Sequence, residues 1–267
     1  MDKTIKKTED LSILVASYDK AFDFWHITAQ SFYRHWPDNP YEIFLGANGE
    51  EHKKHCPPEW NYINQGMDHA WHQSMLTYLS SIKTNYVLVY LDDFALIDEV
   101  SSEKIQKCIE FLKLKNGVYL RLITKPKPNI KLDKCFGNIS VIDNVPYVTS
   151  LQPSIWNRAF LIELLKYGYN PWDFEVKGGK TDLALDNKNA FYGVYKSVIT
   201  ARHFVEKGKY LPFLRKLVSE EELKTLTADR EIWEKDTVND TVFSRMFNLV
   251  PSNYQNWVRR FFGRPEL

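Results

Sequence analysis

The sequence of 267 residues contains little that would mark a secreted, disulfide-bonded or membrane-spanning protein. It has only three cysteines, Cys56, Cys108 and Cys135, and no two of them form a CxxC pair. A sparse, odd set of cysteines is typical of a reducing compartment. No stretch approaches the roughly 18 consecutive apolar residues that a membrane helix needs, and residues 1–10 lack the apolar segment of a signal peptide. We therefore expect a soluble, cytoplasmic protein.

The chain also lacks an excess of charge of either sign, since 35 Lys and Arg residues stand against 34 Asp and Glu residues. Proteins that bind nucleic acid through its phosphates usually have a basic surplus, so we expect no nucleic-acid partner. The seven histidines form no HxxxH or HExxH pattern, which argues against a zinc site. The sequence contains neither a Walker-type phosphate loop nor the GxSxG turn of serine hydrolases.

Apolar and aromatic residues are plentiful, at 44% and 15% of the chain, which suffices for a large buried core. Segments typical of strands and helices alternate up to about residue 170. The predicted strands are 11–17, 41–45, 62–63, 86–91, 118–123 and 147–151, and the predicted helices are 22–36, 71–82, 102–112 and 158–167. This alternation predicts an α/β fold with a mixed, mostly parallel sheet flanked by helices. Since the chain beyond Leu217 is charged and helical, we predict one domain over 1–215 and a helical C-terminal extension over 216–267.

Two adjacent carboxylates, Asp92 and Asp93, follow the strongest strand signal of the sequence, Tyr86–Leu91. In open parallel sheets, ligands bind outside the carboxyl ends of the strands. Paired carboxylates at such a place suit Mg²⁺ or Mn²⁺, which can neutralise a leaving diphosphate. The alternative is that one aspartate caps the following turn while the other is merely solvated. The apolar runs on both sides favour a functional role, because carboxylates between apolar segments need a compensating partner.

Four segments together resemble a known enzyme family. Leu88–Ile97 looks like the metal-binding carboxylate motif of GT-A glycosyltransferases, in an Asp-Asp-Phe form. The others resemble the same group, in particular the small glycosyltransferase-like proteins of bacterial surface-polysaccharide (capsule and lipopolysaccharide) synthesis. They are Leu14–Lys20, Gln65–Trp71, and Ser150–Trp156 followed by Asn170–Glu175. The resemblance spans roughly residues 10–210, the size of a single domain.

The resemblance implies a GT-A-like, Rossmann-like fold and a glycosyltransferase that takes its sugar from a nucleotide-sugar donor, by preference a UDP-sugar. It also implies a Mg²⁺ or Mn²⁺ cofactor held through Asp93 and Asp92. Because the motif is Asp-Asp-Phe rather than Asp-x-Asp, it leaves open which of the two carboxylates binds the metal.

The exit of the first strand occupies the position that holds the base and ribose of the donor in that family. The residues there are Ser17, Tyr18 and Asp19. A tyrosine can stack on a base, and serine or aspartate can hydrogen-bond a ribose or a base edge. Asp19 also fits as the N-cap of a helix that begins near Ala21, with Tyr18 packed, and the two roles are compatible.

The resemblance places Asp68, Trp71 and Asp92 in the donor pocket as well. Asp68 fits an N-cap three residues before Trp71, and a helix N-terminus favours anions. Core packing is the competing role for Trp71, which lies on an apolar helical stripe with Met75 and Tyr78.

Two further carboxylates, Asp173 and Glu175, lie among aromatic residues. In an extended segment they would share one face, and apolar surroundings would raise their pKa toward that of a useful base. In the resembling enzymes an acidic residue in this region deprotonates the acceptor for inverting displacement. The resemblance thus implies Glu175, and after it Asp173, as the base. Alternatively, these acids pair with Lys177, Lys180 or Arg158.

The candidate acceptor-binding residues are Gln152, Trp156 and Trp172. Sugar rings stack on aromatic side chains, which suits the two tryptophans. A core position is the alternative for Trp156. The acceptor implied by the family is a sugar of a surface glycan or a lipid-linked oligosaccharide.

The C-terminal residues 252–267 form a basic, amphipathic pattern with aromatic side chains at helical spacing. They include Tyr254, Trp257, Val258, Phe261 and Phe262. This pattern is typical of an interfacial membrane anchor, which would place the protein at the inner face of the membrane. Packing against the catalytic domain would give the same pattern.

Two other functions fit parts of the sequence. A non-catalytic GT-A-like module could bind sugar or scaffold a polysaccharide assembly, although the carboxylates Asp92, Asp93 and Glu175 argue against it. A sugar-phosphate nucleotidyltransferase would need a glycine-rich, basic loop after the first strand, and Ser17–Lys20 is not such a loop.

Overall fold

The computed structural model describes residues 10–67, 69–125, 127–142 and 147–234. A nine-stranded sheet forms the centre, and two small two-stranded sheets lie beside it. The strands are β1 (Leu11–Ala16), β2 (Glu42–Ala47), β3 (Asn61–Asn64), β4 (Tyr86–Leu91), β5 (Phe94–Leu96), β6 (Tyr119–Arg121), β7 (Ile130–Lys131), β8 (Phe136–Asn138), β9 (Ser154–Asn157), β10 (Phe191–Val194), β11 (Ala201–His203), β12 (Val205–Glu206) and β13 (Lys209–Tyr210). The helices are α1 (Phe22–His35), α2 (Trp71–Ser81), α3 (Ser102–Lys115), α4 (Arg158–Leu165), α5 (Pro171–Lys177), α6 (Asp182–Asp186) and α7 (Glu220–Asp229).

The strand order of the large sheet is β3-β2-β1-β4-β9-β6-β10-β8-β7. Strands β8 and β9 pair antiparallel with their neighbours, whereas the β1–β2, β1–β4, β2–β3 and β6–β10 pairs are parallel. The predicted α/β class, with a mixed and mostly parallel sheet flanked by helices, is confirmed. Because β1 to β4 are parallel, their carboxyl ends meet at one edge of the sheet.

The core consists of two apolar layers, one on each face of the sheet. On one face, Trp25 and Phe32 of α1 pack with Ile109 of α3. On the other, Met75 of α2 packs with Leu161 of α4. Full burial of a side chain of this size stabilises the fold by about 1.5–3 kcal/mol.

The ends of α3 follow the chemistry expected from the sequence. Ser101 is its N-cap, and the Ser101 side chain accepts a hydrogen bond from the backbone N–H of Lys104. Asn116 ends the helix with a φ of 49°, in the left-handed region that asparagine tolerates at a helix C-terminus.

The strand predicted over 147–151 is wrong. The strand in this part of the chain is β9, which begins at Ser154. Tyr147 has a φ of 60°, which interrupts an extended run. The segment is instead fixed by side chains, since Thr149 donates to the Phe174 carbonyl at 2.7 Å and Arg121 donates to the Tyr147 carbonyl.

The extended geometry considered for 170–175 is also wrong, because these residues form α5. Asn170 accepts a hydrogen bond from the Asp173 backbone N–H, and Pro171 occupies the first helical position. Asparagine at the N-cap followed by proline is a strong start signal for a helix.

The described part of the predicted C-terminal extension includes α7, which begins with a capping box between Ser219 and Glu222. The domain boundary near residue 215 stays a prediction, and 252–267 lie outside the described residues. None of the helices that the structure describes is both long enough and apolar enough to cross a bilayer.

Candidate functional site

A cleft of about 330 Å³ lies where β1 and β4 end. Its lining combines the exits of β1, β3 and β4 with the first turns of α2, and with one residue each from the loop before β9 and the start of α5. The lining residues include Ser17, Tyr18, Gln65, His69, Trp71, Ser74, Asp92, Leu151 and Pro171. Ligands of open α/β sheets bind at this edge, so we take this cleft as the candidate site.

A larger groove of about 800 Å³ lies between α1, α7 and the segment Lys54–Glu59. Its lining comes from helices and a loop rather than from the strand ends. We therefore favour the smaller cleft, which holds the strand-end carboxylate.

Asp92 is buried at the edge of the cleft and is held by a short chain of hydrogen bonds. The indole of Trp25 donates to the Ser17 hydroxyl at 2.6 Å, and that hydroxyl donates to Asp92 Oδ2 at 2.5 Å. The Thr28 hydroxyl donates to the Asp92 backbone carbonyl at 2.6 Å. The side chain is thus oriented by α1 and by the end of β1.

Burial makes both carboxylates of the pair reluctant to ionise. The pKa of Asp92 is raised well above its usual range by burial and by the neighbouring charge of Asp93, against the lowering effect of the Ser17 hydrogen bond. Burial raises the pKa of Asp93 to about 6. A nearby cation would relieve both effects, because it favours the charged form of each carboxylate.

Asp93 lies in the turn between β4 and β5, and its backbone carbonyl accepts a hydrogen bond from the Phe204 N–H at 2.9 Å. Its buried Oδ1 has no hydrogen-bond partner among the residues that the structure describes. Of the two aspartates, Asp92 lines the cleft. The hypothesis that the pair merely caps a turn or is solvated does not explain a buried, unpartnered carboxylate oxygen.

The two carboxylates fit a hard divalent cation. Within the described ranges, no group of three or more His, Cys, Asp and Glu side chains could hold a metal by itself. Mg²⁺ does not require one, because it is usually held by one or two carboxylates together with substrate phosphates and water. Adjacent buried carboxylates, one with an unused oxygen, are a donor set of that kind.

The first predicted donor segment forms one wall of the cleft. Tyr18 is 46% exposed, which leaves its ring available for stacking. Asp19 belongs to a single helical turn before α1, where its carboxylate accepts the Lys20 backbone N–H at 2.8 Å. The N-cap of α1 is Ala21, so the capping role considered for Asp19 is wrong. The backbone N–H of Asp19 donates to Asn48 Oδ1 at 3.0 Å. The sequence did not predict a role for Asn48.

The start of α2 forms a second part of the lining. The N-cap of this helix is Ala70 and makes no side-chain cap, so the N-cap assignment to Asp68 is wrong; Asp68 itself lies outside the described residues. Trp71 is half-buried, and it both lines the cleft and packs its ring edge-on against Phe174. Gln65 also lines the cleft, and its buried Oε1 has no partner in the described part of the chain.

Glu175 is half-buried and is hydrogen-bonded to Leu151, which lines the cleft. Glu175 Oε1 accepts the Leu151 N–H at 2.7 Å and the Ser150 hydroxyl at 3.0 Å. Burial raises the pKa of Glu175, while these two hydrogen bonds and the positive charge of Arg121 lower it in part.

Asp173 is tied up at the surface, where it pairs with Lys177 at 2.9 Å and accepts a hydrogen bond from Asn170 at 3.1 Å. The ion-pair alternative therefore describes Asp173, not Glu175.

The predicted acceptor residues separate into two kinds. Trp156 is completely buried between sheet and helices, and its indole N–H donates to Ser154 at 3.0 Å. Its predicted contact with an acceptor is therefore wrong, because no surface of its ring is reachable. Trp172 is 80% exposed and directly follows Pro171 of the cleft lining. Gln152 is half-buried, in the loop next to Leu151.

Arg121 is the most informative residue that the sequence reasoning missed. It is 1% exposed at the end of β6, and it donates to the Tyr119 hydroxyl at 3.3 Å and to the carbonyls of Tyr147 and Val148. It thus braces the same segment whose Leu151 N–H binds Glu175. A charged residue in the middle of the apolar run Val118–Ile123 was the signal in the sequence.

No family model matches the chain, and no curated protein matches it in sequence. Among solved structures, it is similar to S. aureus TarS 1-349 in complex with UDP, at 11% identity and a TM-score of 0.48, over 95% of this chain and 72% of that chain. Another structure of TarS 1-349 matches at 13% identity and a TM-score of 0.46, over 71% of this chain, which spans only 59% of that one.

The galactosyltransferase LgtC in complex with donor and acceptor sugar analogs matches at 11% identity and a TM-score of 0.44, over 91% of this chain and 99% of that one. Glycosyltransferases are therefore among the structures that this chain resembles.

Proposed function

We propose that the protein transfers a sugar from a nucleotide-sugar donor, by preference a UDP-sugar, to a sugar acceptor of a surface glycan or a lipid-linked oligosaccharide. The observation that carries this proposal is the placement of Asp92. It is a buried, pre-oriented carboxylate at the end of β4, in a cleft that also holds an exposed tyrosine and a helix N-terminus. This arrangement supports binding of a nucleoside diphosphate.

The donor would lie along the ends of β1 to β4. Tyr18 offers a ring face to the base, and Ser17, Asp19 and Gln65 offer polar groups to the base edge or ribose. The first turn of α2, at Trp71, presents backbone N–H groups to the phosphates, which the helix dipole also favours.

A divalent cation, Mg²⁺ or Mn²⁺, would be held by Asp92 and Asp93 and would supply neutralisation of the diphosphate that leaves. The protein's own part is to keep Asp92 buried and oriented through Ser17, Trp25 and Thr28.

Glu175 is the proposed base. In a direct, inverting displacement, the acceptor hydroxyl oxygen forms a bond to the anomeric carbon and loses its proton to Glu175. The bond from that carbon to the diphosphate oxygen breaks, and the nucleoside diphosphate leaves with the electron pair. Oε1 is oriented by Leu151 and Ser150, and a raised pKa brings the group closer to working pH. Trp172 and Gln152 would contact the acceptor beside Pro171.

A panel of nucleotide-sugars tests this proposal, with thermal stabilisation and hydrolysis measured with and without Mn²⁺. We expect one class of nucleotide-sugar to stabilise the protein, and to do so more strongly with the metal. Asp92→Asn should abolish the metal-dependent part. Asp98→Asn is the matched control, because Asp98 is exposed and lies just beyond β5.

Nucleotide binding without any metal dependence or turnover would point to a non-catalytic sugar-binding module. No response to any nucleotide, or the same response in Asp92→Asn as in wild type, would overturn the proposed site.

A further inference from the structure

The hairpin formed by β7 and β8 carries a basic surface that the cleft does not use. Lys131 and Lys134 are exposed on it, and Lys127 is exposed just before β7. Lys196 is exposed beside the hairpin, since the Tyr195 N–H binds the Cys135 carbonyl. None of these four lysines has an ion-pair partner among the described residues.

The acidic groups nearby are already engaged. Asp133, the one acid within the hairpin, accepts the backbone N–H groups of Cys135 and Phe136 at 2.6 and 2.7 Å and so shapes the turn. On α3, which packs against the hairpin through Phe111 and Phe136, Glu103 is paired with Lys107 at 2.6 Å. Because the four lysines outnumber Asp133, the hairpin surface has a net positive charge.

Two aliphatic side chains of the hairpin are also exposed. Ile130 is 50% exposed and Leu132 is 46% exposed, on either side of Lys131. The hairpin that presents them is firmly held, because Pro128 packs where side chains on Gly137 and Gly193 would collide with it. The rings of Phe111 and Phe136 stack with centroids 4.0 Å apart. The surface is thus a fixed part of the fold.

Protection of a sheet edge explains only part of this pattern. Lysines on a short edge strand discourage pairing with other chains, and Lys131 on β7 suits that role. Exposed Ile130 and Leu132 have the opposite effect, because apolar side chains on an edge promote association. A nucleic-acid partner is also a poor fit, since single-strand binding surfaces rely on exposed aromatic rings.

We propose that the β7–β8 hairpin docks on an anionic lipid bilayer, with Lys127, Lys131, Lys134 and Lys196 facing lipid phosphates and Ile130 and Leu132 entering the headgroup region. Basic clusters are attracted to anionic leaflets, and neighbouring apolar side chains add insertion. The proposal goes beyond the sugar-transfer function and does not depend on it.

Co-sedimentation of the full chain with vesicles tests the proposal. The vesicles are made of phosphatidylcholine alone, or of phosphatidylcholine mixed with phosphatidylglycerol. We expect binding to the mixed vesicles only, weakened by salt. Each lysine near the surface contributes about fivefold, so the triple variant Lys127→Gln/Lys131→Gln/Lys134→Gln should bind roughly 100-fold more weakly.

Two further variants complete the test. The control Lys115→Gln/Lys188→Gln/Lys224→Gln removes the same charge from exposed positions elsewhere and should bind like wild type. Ile130→Ser/Leu132→Ser should release the protein from vesicles at lower salt. Thermal unfolding checks that each variant is folded.

Equal loss of binding in both lysine triples would overturn the proposal, because it would show a general charge effect. So would binding that disappears on deletion of 252–267 yet survives the hairpin triple. Hairpin-dependent binding to an oligonucleotide, without binding to either vesicle, would assign the surface to nucleic acid and overturn it as well.

Discussion

The hydroxyl of Ser17 has two buried hydrogen-bond partners. Its hydroxyl accepts from the Trp25 indole and donates to Asp92, so Ser17→Ala leaves a buried donor and a buried acceptor unpaired. We expect a loss of about 2 kcal/mol in the free energy of unfolding, measured with urea. A Ser17→Ala variant as stable as wild type would show that the hydrogen-bond chain does not hold the site.

Glu175 should determine the acid limb of the pH–activity profile. A base must be ionised, so activity should fall as the pH drops through a pKa that burial has raised above the ordinary value for glutamate. Glu175→Gln should lose about 10²–10⁴-fold in kcat together with that limb. Asp173→Asn, which alters a surface ion pair, is the matched control and should retain the wild-type profile.

The raised pKa of Glu175 also affects the stability of the fold. Because its folded-state pKa lies above its unfolded one, its contribution to stability is full at low pH and is lost as the pH rises through the folded-state value. Glu175→Gln should therefore be more stable than wild type at neutral pH, with the difference shrinking in acid. Urea unfolding across pH measures this, and a difference that grows in acid would contradict it.

At the level of whole elements, the segment before β9 depends on Arg121. Arg121→Met would leave the carbonyls of Tyr147 and Val148 without their donor and would remove the positive charge near Glu175. Breaking such a buried polar arrangement costs about 3–5 kcal/mol. Arg121→Lys should restore part of the stability but not the geometry of the planar guanidinium. An unchanged urea midpoint in Arg121→Met would refute the bracing role.

Arg121 also shows which parts of the fold could not be predicted from the sequence. The strand Tyr86–Leu91 and the helix that starts after Ser101 were predictable, because an apolar run and a cap are local signals. The irregular path of 147–151 was not, because it is fixed by a side chain some 26 positions away. Likewise, the burial of Trp156 depends on its neighbours in space, and an apolar pattern cannot distinguish a core tryptophan from one that lines a cleft.

In the molecule as a whole, the chain after α7 packs against α1. The Arg230 guanidinium binds Asp23 at 3.0 Å and lies 4.6 Å from the centre of the Phe24 ring. The Tyr210 hydroxyl donates to the same aspartate at 2.6 Å. Residues 231–233 then hydrogen-bond Tyr210 through their backbone. The described residues beyond 215 therefore complete the packing around α1.

The contacts of Arg230 and residues 231–233 predict where the folded unit ends. Truncation after residue 215 would remove Arg230 and leave Asp23, which is mostly buried, without its cation. Truncation after residue 234 would keep that pair. We expect the shorter chain to unfold at lower urea than the longer one, by at least the coupling of Asp23 and Arg230.

A double-mutant cycle with Asp23→Asn and Arg230→Met isolates that coupling, which we expect to be about 1–3 kcal/mol for a pair so little exposed. Arg230→Lys should recover only part of it, because lysine lacks the planar group that covers the Phe24 ring. Zero coupling together with equal stability of the two truncated chains would show that the folded unit ends before α7, as the boundary predicted near residue 215 requires. Strong coupling would instead move that boundary beyond Trp233.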